Sequence, residues 1–354
     1  MSRKLKVGIV GTGNIFRSAH EPLLFGHPEI ELVAVCDLVV AKAQRVATEL
    51  EIKHVYSDYQ ELLRQHADLD FIDICTSNLH HSEIAVAALE AGMHVFCEKP
   101  DAINPEEAER MAHAAEKSGK LLLTMRNNRF RPAVQFLKKY VSAGHAGEIY
   151  TGRCGWLRRR GIPGKGGWFT TKALSGGGPL IDLGVHFIDV AIWLMGNPRP
   201  VSVVGATYSK FANTSISDSV NSKFGESQAE GTFDVEDLAT GFIRFDNGAT
   251  LQVEFSWASN IEEERNFVEL RGTKSGFSFD KGLLKIFTEI EGTLCDIVPK
   301  LPKDGHGHAE YLQHFIDCVH GRDKPIMQPI DGVHMIKLLS ALYESARTGN
   351  EVKL

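Results

Sequence analysis

The sequence has no CxxC pair, no excess of positive charge and no apolar run that approaches the length of a membrane span. Its six cysteines are scattered through 354 residues, and Cys36, Cys75 and Cys97 lie in apolar segments typical of strands. This distribution favours buried free thiols in a reducing compartment over disulfides or a zinc site. The formal net charge of -6 gives no general attraction to nucleic acid or to an anionic membrane surface.

The first four residues lead directly into a short apolar strand and lack the apolar core of a signal peptide. We therefore expect a cytoplasmic protein that has neither a membrane segment nor a nucleic-acid partner. With 43% hydrophobic and 24% charged residues, the composition is typical of a globular protein, and 354 residues are enough for two domains with separate cores. There are no internal repeats.

Residues 1–125 alternate short apolar runs with helical patterns. The predicted strands are Lys6–Val10, Glu31–Cys36, His54–Tyr56, Phe71–Cys75, His94–Cys97 and Leu121–Met125. One helix is clearly delimited, because Asn104 can serve as its N-cap, Pro105 stands in its first turn and Gly119 follows its end. Strand and helix in alternation predict an α/β domain with a doubly wound parallel sheet, and six strands are the full complement of a dinucleotide-binding Rossmann domain.

Residues 126–354 show a different pattern and predict an α+β domain with an open, mainly antiparallel sheet. Turn signals such as Asp246-Asn247-Gly248 separate successive apolar runs. The predicted strands are Val201–Ser209, Leu238–Phe245, Thr250–Trp257, Phe267–Arg271 and Leu283–Phe287, and the predicted helices lie near Pro132–Val141, Leu180–Met195, His308–Val319 and Gly332–Thr348.

A glycine turn follows the first predicted strand and precedes a predicted helix. Gly11 would permit the tight turn, and Gly13 would let the backbone approach a pyrophosphate held at the helix N-terminus by Asn14 and Ile15. The third position of the GxGxxG motif, which usually serves close packing of helix on strand, is Phe16. The motif alone is weak evidence, but its place after the first strand of an alternating domain predicts a dinucleotide site.

An acidic residue at the end of the second predicted strand supports this interpretation. Asp37 stands 24 residues after Gly13, where a carboxylate can accept hydrogen bonds from the adenosine ribose hydroxyls. Leu38 and Val39 follow it, so no arginine is present there to receive a 2′-phosphate. The sequence therefore predicts NAD as the cofactor rather than NADP.

Two neighbourhoods contain candidate catalytic residues. Lys99 follows the fifth predicted strand, at the carboxyl edge of the sheet where ligands bind in such folds. Asp182, His186 and Asp189 stand at i, i+4 and i+7 and would share one face of an otherwise apolar helix. A neutral-pH base suits the oxidation of an alcohol, so His186 and Lys99 are candidates for proton transfer and Asp182 for orienting the imidazole or a substrate hydroxyl. For Asp189 we expect a structural role.

These motifs carry a resemblance to a known family. The glycine turn, Glu98-Lys99-Pro100 and the run from Gly176 through Asp182 and His186 to Asp189 resemble the glucose–fructose oxidoreductase / inositol dehydrogenase / MocA family along essentially the whole chain. The resemblance implies proton transfer by Lys99 and His186, with Asp182 beside them. It also implies cofactor contacts and one substrate contact, at the following positions: Thr76, Asn78, His81, Glu98 and Lys99 for the cofactor, and Arg129 for the substrate.

The remaining substrate contacts are expected from the second domain. Trp156–Arg160 and Lys165–Trp168 form a basic, aromatic segment before the helix that contains Asp182. Two hypotheses stay open for it: a lid over a polyhydroxylated or anionic substrate, in which Trp168 contacts the substrate, or a solvated loop or subunit contact. His306 and His308 flank a glycine, but no carboxylate or cysteine stands at ligand spacing from them, and we predict no metal.

The sequence thus predicts an NAD-dependent dehydrogenase. It would oxidise a secondary hydroxyl of a sugar, a sugar derivative or a cyclitol, with Lys99, Asp182 and His186 as catalytic residues that also bind the substrate. The resemblance implies a homodimer or homotetramer formed through the second sheet. Two alternatives remain open: an NAD-dependent glycosidase that oxidises its substrate transiently, and an NAD-binding regulator without catalytic activity.

Overall fold

The computed structural model describes residues 3–354, which pack into two compact units. The first unit contains the chain up to Met125 together with Ala173–Gly176 and His308–Ile336. The second unit contains Arg126–Lys172, Gly177–Gly307 and Lys337–Leu354. The main division therefore falls after residue 125, and two later segments return to the first unit.

The first unit is built on a six-stranded parallel sheet. Its strands are β1 (Leu5–Val10), β2 (Ile30–Cys36), β3 (His54–Tyr56), β4 (Phe71–Ile74), β5 (His94–Cys97) and β6 (Leu122–Thr124). They lie in the order β3-β2-β1-β4-β5-β6, and every neighbouring pair is parallel. The order reverses between β1 and β4, and in open α/β sheets ligands bind at this switch point. The predicted doubly wound sheet is confirmed.

Helices connect the strands of this sheet. They are α1 (Glu21–Leu24), α2 (Val40–Glu49), α3 (Tyr59–Gln65), α4 (His81–Glu90) and α5 (Pro105–Ser118). The predicted limits of α5 are confirmed: the Asn104 side chain accepts a hydrogen bond from the Glu107 amide at 2.9 Å, and Gly119 ends the helix in the left-handed region at φ 65°. Capping side chains and a terminal glycine thus define a helix from sequence alone.

A later helix, α9 (His308–Val319), completes the core of the first unit. The Phe315 ring lies 4.9 Å from that of Phe71 and 5.0 Å from that of Phe96, both on the sheet. The Tyr311 hydroxyl donates to the Thr124 carbonyl at 2.6 Å, and all three phenylalanines and the tyrosine are buried. The apolar surface of β4 and β5 is therefore covered by a segment far away in the sequence.

The second unit contains a nine-stranded sheet. Its strands are β7 (Ile149–Leu157), β8 (Pro200–Tyr208), β9 (Leu238–Phe245), β10 (Thr250–Ser256), β11 (Arg265–Gly272), β12 (Ser275–Asp280), β13 (Leu283–Ile290), β14 (Thr293–Ile297) and β15 (Val352–Lys353). Their order is β14-β13-β12-β11-β7-β10-β9-β8-β15, and all pairs are antiparallel except β7 with β10. This confirms the predicted, mainly antiparallel sheet.

The sequence analysis missed β7, which lies at the centre of this sheet. Two glycines obscure its pattern, because glycine is normally depleted in strands. A Cβ on Gly152 would meet the Leu270 side chain at 2.3 Å, and one on Gly155 would meet the Glu254 carbonyl at 2.5 Å. Both positions therefore need glycine, since neighbouring groups occupy the space where a side chain would begin. Strands β12, β14 and β15 were also missed.

The remaining helices are α6 (Pro132–Ser142), α7 (Lys172–Ser175), α8 (Val185–Leu194) and α10 (Pro329–Thr348). The stretch Lys172–Leu194, which includes α7 and α8, is long and apolar enough to meet the criteria for a membrane span, contrary to the expectation from the sequence. However, 89% of its most apolar window is buried within the protein, as in the core helix of a globular protein. This feature is weak evidence for a membrane segment.

The cap of α5 provides a test of this local analysis. Asn104→Ala removes the acceptor for the Glu107 amide, and we expect it to lower the free energy of unfolding by about 1 kcal/mol. Asn104→Ser is the matched control, because a serine oxygen can accept the same bond and should leave stability nearly unchanged. Urea denaturation followed by circular dichroism measures both, and equal losses in the two variants would contradict the capping role.

Candidate functional site

The glycine turn after β1 has the backbone that the sequence predicts. Gly11 has φ 95°, and a Cβ there would lie 2.6 Å from the backbone carbonyl of Cys75, so only glycine fits without strain. Gly13 differs, because no protein atom lies within 4 Å of the Cβ position. The space beside Gly13 is thus open to a ligand, and the amide groups of Asn14 and Ile15 begin the following helix.

The helix after this turn accounts for Phe16. Residues Phe16–His20 are wound as a π-helix, and the Phe16 ring is fully buried. A bulky residue at the third position of the motif is therefore accommodated in the core. The same winding ends on His20, a residue that the sequence analysis did not single out. Single π-turns are rare and frequently occur at functional sites.

Asp37 fixes the glycine turn from the end of β2. Its Oδ2 accepts hydrogen bonds from the Thr12 amide at 2.8 Å and the Thr12 hydroxyl at 2.7 Å, and its Oδ1 accepts from the Val39 amide at 2.8 Å. A carboxylate has further lone pairs, so these contacts leave capacity for a ribose hydroxyl. Val39 and Leu38 are both exposed, and neither offers a positive charge for a 2′-phosphate. These residues fit NAD.

The segment after β4 holds three of the predicted cofactor residues. The Asn78 amide donates to the Ser175 carbonyl at 2.8 Å, and Asn78 is buried. His81 is fully buried and pairs with two backbone carbonyls, that of Pro100 at 2.8 Å and that of Thr76 at 3.3 Å. Burial lowers the pKa of His81, more than these hydrogen bonds raise it. The His81 ring therefore joins the segment that contains Thr76 to the one that follows Lys99.

Behind Lys99 lies a buried charged cluster, the His20 cluster, formed by His20, Asp73 and Glu98. His20 Nδ1 lies 2.9 Å and 3.1 Å from the two oxygens of Asp73, and His20 Nε2 lies 2.9 Å from Glu98 Oε1. The second Glu98 oxygen accepts from the Lys99 amide at 3.2 Å. The first unit thus brings Glu98 and Lys99 together with His20, a combination that motif spacing alone did not reveal.

The charges of the His20 cluster depend on one another. Burial, the largest single influence, lowers the pKa of His20, but attraction and hydrogen bonding to Asp73, together with the contribution of Cys75, outweigh it, and the pKa lies well above the ordinary value. Burial raises the pKa of Glu98, but the hydrogen bond and charge of His20, with Lys99 and His308, lower it to about 2. An imidazolium between two carboxylates is the consistent protonation state, because each ring nitrogen then donates to an anion.

The His20 cluster also raises the question of a metal. Ligand atoms of His20, Asp73 and Cys75 lie within 4.8 Å of one another, and all three residues are buried. Both nitrogens of the His20 imidazole already face carboxylates. Burial, and to a smaller extent the charge of Asp73, raises the pKa of the Cys75 thiol well above its usual range. A metal needs the deprotonated forms of these ligands, so the arrangement favours a hydrogen-bonded ion cluster.

In the second unit, Asp182 and His186 lie on one buried helical stretch. A π-helix over Leu180–Gly184 continues into α8, so the predicted helix exists but changes its winding between the two residues. Asp182 Oδ2 accepts a hydrogen bond from the indole of Trp257 at 3.0 Å. His186 Nδ1 lies 3.2 Å from the Asn128 amide nitrogen, which can donate to it. Both candidate residues therefore have partners that orient them.

The triple glycine before this stretch has a packing role. A Cβ on Gly177 would meet the Tyr343 hydroxyl at 2.1 Å, and one on Gly178 would meet the Glu236 carbonyl oxygen at 2.1 Å. The buried Glu236 carboxylate accepts from the amides of Gly178 and Leu180 and from the Tyr343 hydroxyl, at 2.9, 3.1 and 2.8 Å. Glu236, which the sequence analysis missed, therefore holds the start of the stretch that positions Asp182.

Asp189 has the structural role expected from the sequence. Its carboxylate accepts from Arg129 Nη2 at 2.7 Å and Nε at 2.8 Å, and from Arg126 Nε at 3.2 Å. Burial alone would raise the pKa of Asp189, but the two arginines outweigh it and hold the pKa below its usual value. Arg129 is itself buried. These contacts give Arg129 a place in a buried ion pair, and they lend no support to its predicted substrate contact.

The basic segment predicted as a lid is only partly at the surface. Arg158 is 6% exposed, and its guanidinium lies 5.0 Å from the Trp156 ring centre and attracts Asp182. The Arg160 guanidinium donates to the carbonyls of Arg159 and Ser259. Trp168 is half-buried against Phe169, with ring centres 3.8 Å apart. The Arg158 side chain therefore lies in the interior of the second unit, and a lid or pocket role for this segment stays a prediction.

The two units define a dinucleotide-binding oxidoreductase, and comparison with known proteins agrees. Residues 5–125 match the oxidoreductase family with an NAD-binding Rossmann fold, and residues 134–278 match the GFO/IDH/MocA C-terminal domain. The chain is 36% identical to D-glucoside 3-dehydrogenase of Escherichia coli (strain K12) over all of its length and 98% of that protein. It is 27% identical to scyllo-inositol 2-dehydrogenase (NAD(+)) of Bacillus subtilis (strain 168), covering 100% and 97% of the two chains.

A solved structure supports the same assignment. GenD2 from gentamicin A biosynthesis, in complex with NAD, matches 100% of this chain and 97% of its own at 26% identity and a TM-score of 0.81. The chain therefore belongs to the GFO/IDH/MocA family of oxidoreductases. It is a dehydrogenase that acts on CH–OH groups, and its cofactor is NAD.

The two glycines of the phosphate turn should respond differently to alanine. Gly13→Ala meets no protein atom, so we expect unchanged stability of the free enzyme, but its methyl group enters the space left for the pyrophosphate. The Kd for NAD should rise about tenfold or more, which corresponds to ~1.4 kcal/mol. Gly11→Ala is the contrasting variant and should unfold more easily. Fluorescence titration and thermal melts measure both effects, and NAD affinity unchanged in Gly13→Ala would argue against the site.

Proposed function

We propose that this protein oxidises a secondary hydroxyl of a sugar, a sugar derivative or a cyclitol, with NAD as the hydride acceptor and with Lys99, Asp182 and His186 as its catalytic residues. The observation that carries the proposal is the set of oriented groups around these residues. Glu98 accepts from the Lys99 amide, Trp257 donates to Asp182, and Asn128 contacts His186. A residue whose position is fixed by its neighbours is suited to act on a bound substrate.

The reaction requires that a proton leave the hydroxyl while hydride leaves the carbon. The nicotinamide, when bound, accepts the hydride. Lys99 stabilises the developing alkoxide through its ammonium group, and His186 accepts the proton at a ring nitrogen. Asp182, held by Trp257, binds a neighbouring hydroxyl or orients the imidazole.

The substrate class follows from the relatives and from the residues beside Asp182. The relatives are named for a glucoside, levoglucosan and scyllo-inositol, which are all neutral polyhydroxylated rings. Trp156 lies near His186, with ring centres 6.2 Å apart, and presents an apolar surface of the kind that packs against a sugar ring. Arg158 adds a buried donor over the Trp156 ring. We therefore propose a neutral pyranose-type or cyclitol ring as substrate.

Reduction of NAD across a panel of glucosides, aldoses and cyclitols tests this function. The wild-type enzyme should reduce NAD with at least one member, and Lys99→Ala should lower kcat by roughly 10²–10⁴-fold because the proton-transfer and alkoxide-stabilising group is lost. Lys117→Ala, a lysine in the last turn of α5, is the matched control and should leave kcat unchanged.

The Kd for NAD should stay near the wild-type value in Lys117→Ala, and its measurement in Lys99→Ala separates a loss of catalysis from a loss of cofactor binding. Full activity of Lys99→Ala would rule out its catalytic role. If no member of the panel reduced NAD although NAD binds, the dehydrogenase function on these rings would be rejected, and assays for glycoside cleavage would follow.

We also propose that two or four copies assemble through the second sheet, in the cytoplasm. Strands β7, β8 and β13 expose large side chains, with exposed fractions of 49% at Tyr150, 50% at Val204 and 42% at Phe287. Exposed apolar groups of this kind favour protein–protein contacts. The cytoplasmic location is supported by six cysteines that are all free in the described part of the chain.

An assembly through this face should be sensitive to charge. Val204→Asp places a carboxylate in the exposed apolar surface, and we expect it to shift the protein toward monomers in light scattering at micromolar concentration. Val298→Asp, also at an exposed valine but after β14, is a control outside the strands. A wild-type protein that is monomeric over the same concentrations would refute the proposed assembly.

A further inference from the structure

We propose that His20 is a positioning residue of the NAD site: as a buried cation, its imidazolium ties the helix of the glycine turn to β4 and β5, and through Glu98 it fixes the Lys99 backbone. This inference rests on the proposed function for its catalytic consequence. The contacts of His20 on which the inference is built all lie within the first unit. His20 touches no reacting atom in this arrangement and acts through Glu98.

The contacts of His20 connect three elements that bear on the cofactor. The ring stands at the end of the π-helix that follows Gly13, while Asp73 belongs to β4 and Glu98 directly follows β5. Strands β1, β4 and β5 are neighbours in the sheet, and the switch point lies between the first two. One side chain thus links the end of the helix that follows the phosphate turn to β4 and to the residue directly after β5.

The surroundings of the ring leave few other partners for its charge. The Phe96 ring lies 5.7 Å from it, and a small cavity beside it has an otherwise apolar lining of Ala19, Leu23, Leu24, Phe96, Met125 and Leu312, with His308. The titratable and charged groups that face the cluster are Asp73, Cys75, Glu98, Lys99 and His308. With both carboxylates ionised and the ring protonated, the cluster carries one net negative charge.

Stability alone does not explain such a cluster. A buried ion pair often contributes no more stability than apolar residues of the same volume, because taking charges out of water is costly. The benefit of this cluster is geometric, since the two ring nitrogens impose two fixed directions on two carboxylates. The second oxygen of Glu98 then accepts a hydrogen bond from the Lys99 amide at 3.2 Å. This bond fixes the backbone of Lys99.

A charge-matched variant tests the proposal. His20→Gln alone would leave two buried carboxylates without their cation and could unfold the protein. The double variant His20→Gln/Asp73→Asn keeps one net negative charge and retains amide donors and acceptors, so it is the main test. His66→Gln is the control, because it removes another buried histidine, which pairs with the Tyr56 hydroxyl at 2.9 Å in the same unit.

We expect the double variant to lower kcat by on the order of 10- to 100-fold with the sugar KM within about twofold of wild type, since the geometry of the site and not sugar binding is disturbed. Its Kd for NAD should rise by about threefold or more. The His66→Gln control should change neither quantity, even where it lowers the melting temperature. Wild-type kcat and NAD affinity in the double variant would overturn the positioning role.

Nitrogen-15 NMR of histidine-labelled protein with NAD bound tests the charge state separately. Comparison with the double variant identifies the His20 signals, which should show a ring protonated on both nitrogens at pH 7. A neutral ring at pH 7, or signals moved by added Zn²⁺, would overturn the assignment of a buried cation. The NMR and NAD-binding results stand whether or not a polyol substrate is found, so failure of the proposed function is distinguishable from failure of this inference.

Discussion

Each buried carboxylate near the candidate residues needs a cation or hydrogen-bond donors as partners, and this need determines the local structure there. Asp73 and Glu98 share one imidazole, and Asp189 lies between two arginines. Glu236 is matched differently, by two backbone amides and a tyrosine hydroxyl. A buried carboxylate without such partners would cost several kcal/mol. The partners of each carboxylate therefore fix a helix or a strand end in one position.

Neutral and charged partners give these carboxylates different properties. Burial raises the pKa of Glu236, and hydrogen bonds from amides and Tyr343 only partly oppose it. For Glu98, the hydrogen bond and charge of His20, with Lys99 and His308, outweigh burial and lower the pKa to about 2. Glu98 therefore stays ionised over the whole physiological range. Its contribution to folding is present at neutral pH and is lost only as the pH falls toward that low pKa, because protonation then removes the pairing with His20.

The sequence predicted the elements whose signals are local. The cap at Asn104, the glycine turn at Gly11 and the alternating strands of the first sheet depend on a few adjacent residues, and the structure agrees with them. The central strand β7 of the second sheet was missed because Gly152 and Gly155 are required by distant neighbours. His20, Glu236 and the true environment of Arg158 were missed for the same reason, since their partners lie far away in the sequence. The roles assigned to Lys99, Asp182 and His186 remain predictions.

The chain's return to the first unit has a consequence for synthesis. Helix α9 covers Phe71 and Phe96, so the first sheet has an apolar face that is completed only when residues near 315 have been made. Domains otherwise tend to fold in order as they leave the ribosome. Here the first unit can be completed only after most of the second unit has been synthesised. Until then the aromatic surface of β4 and β5 stays uncovered, and uncovered apolar surface in a partly made chain favours aggregation. A fragment that ends near residue 125 therefore lacks part of its own core.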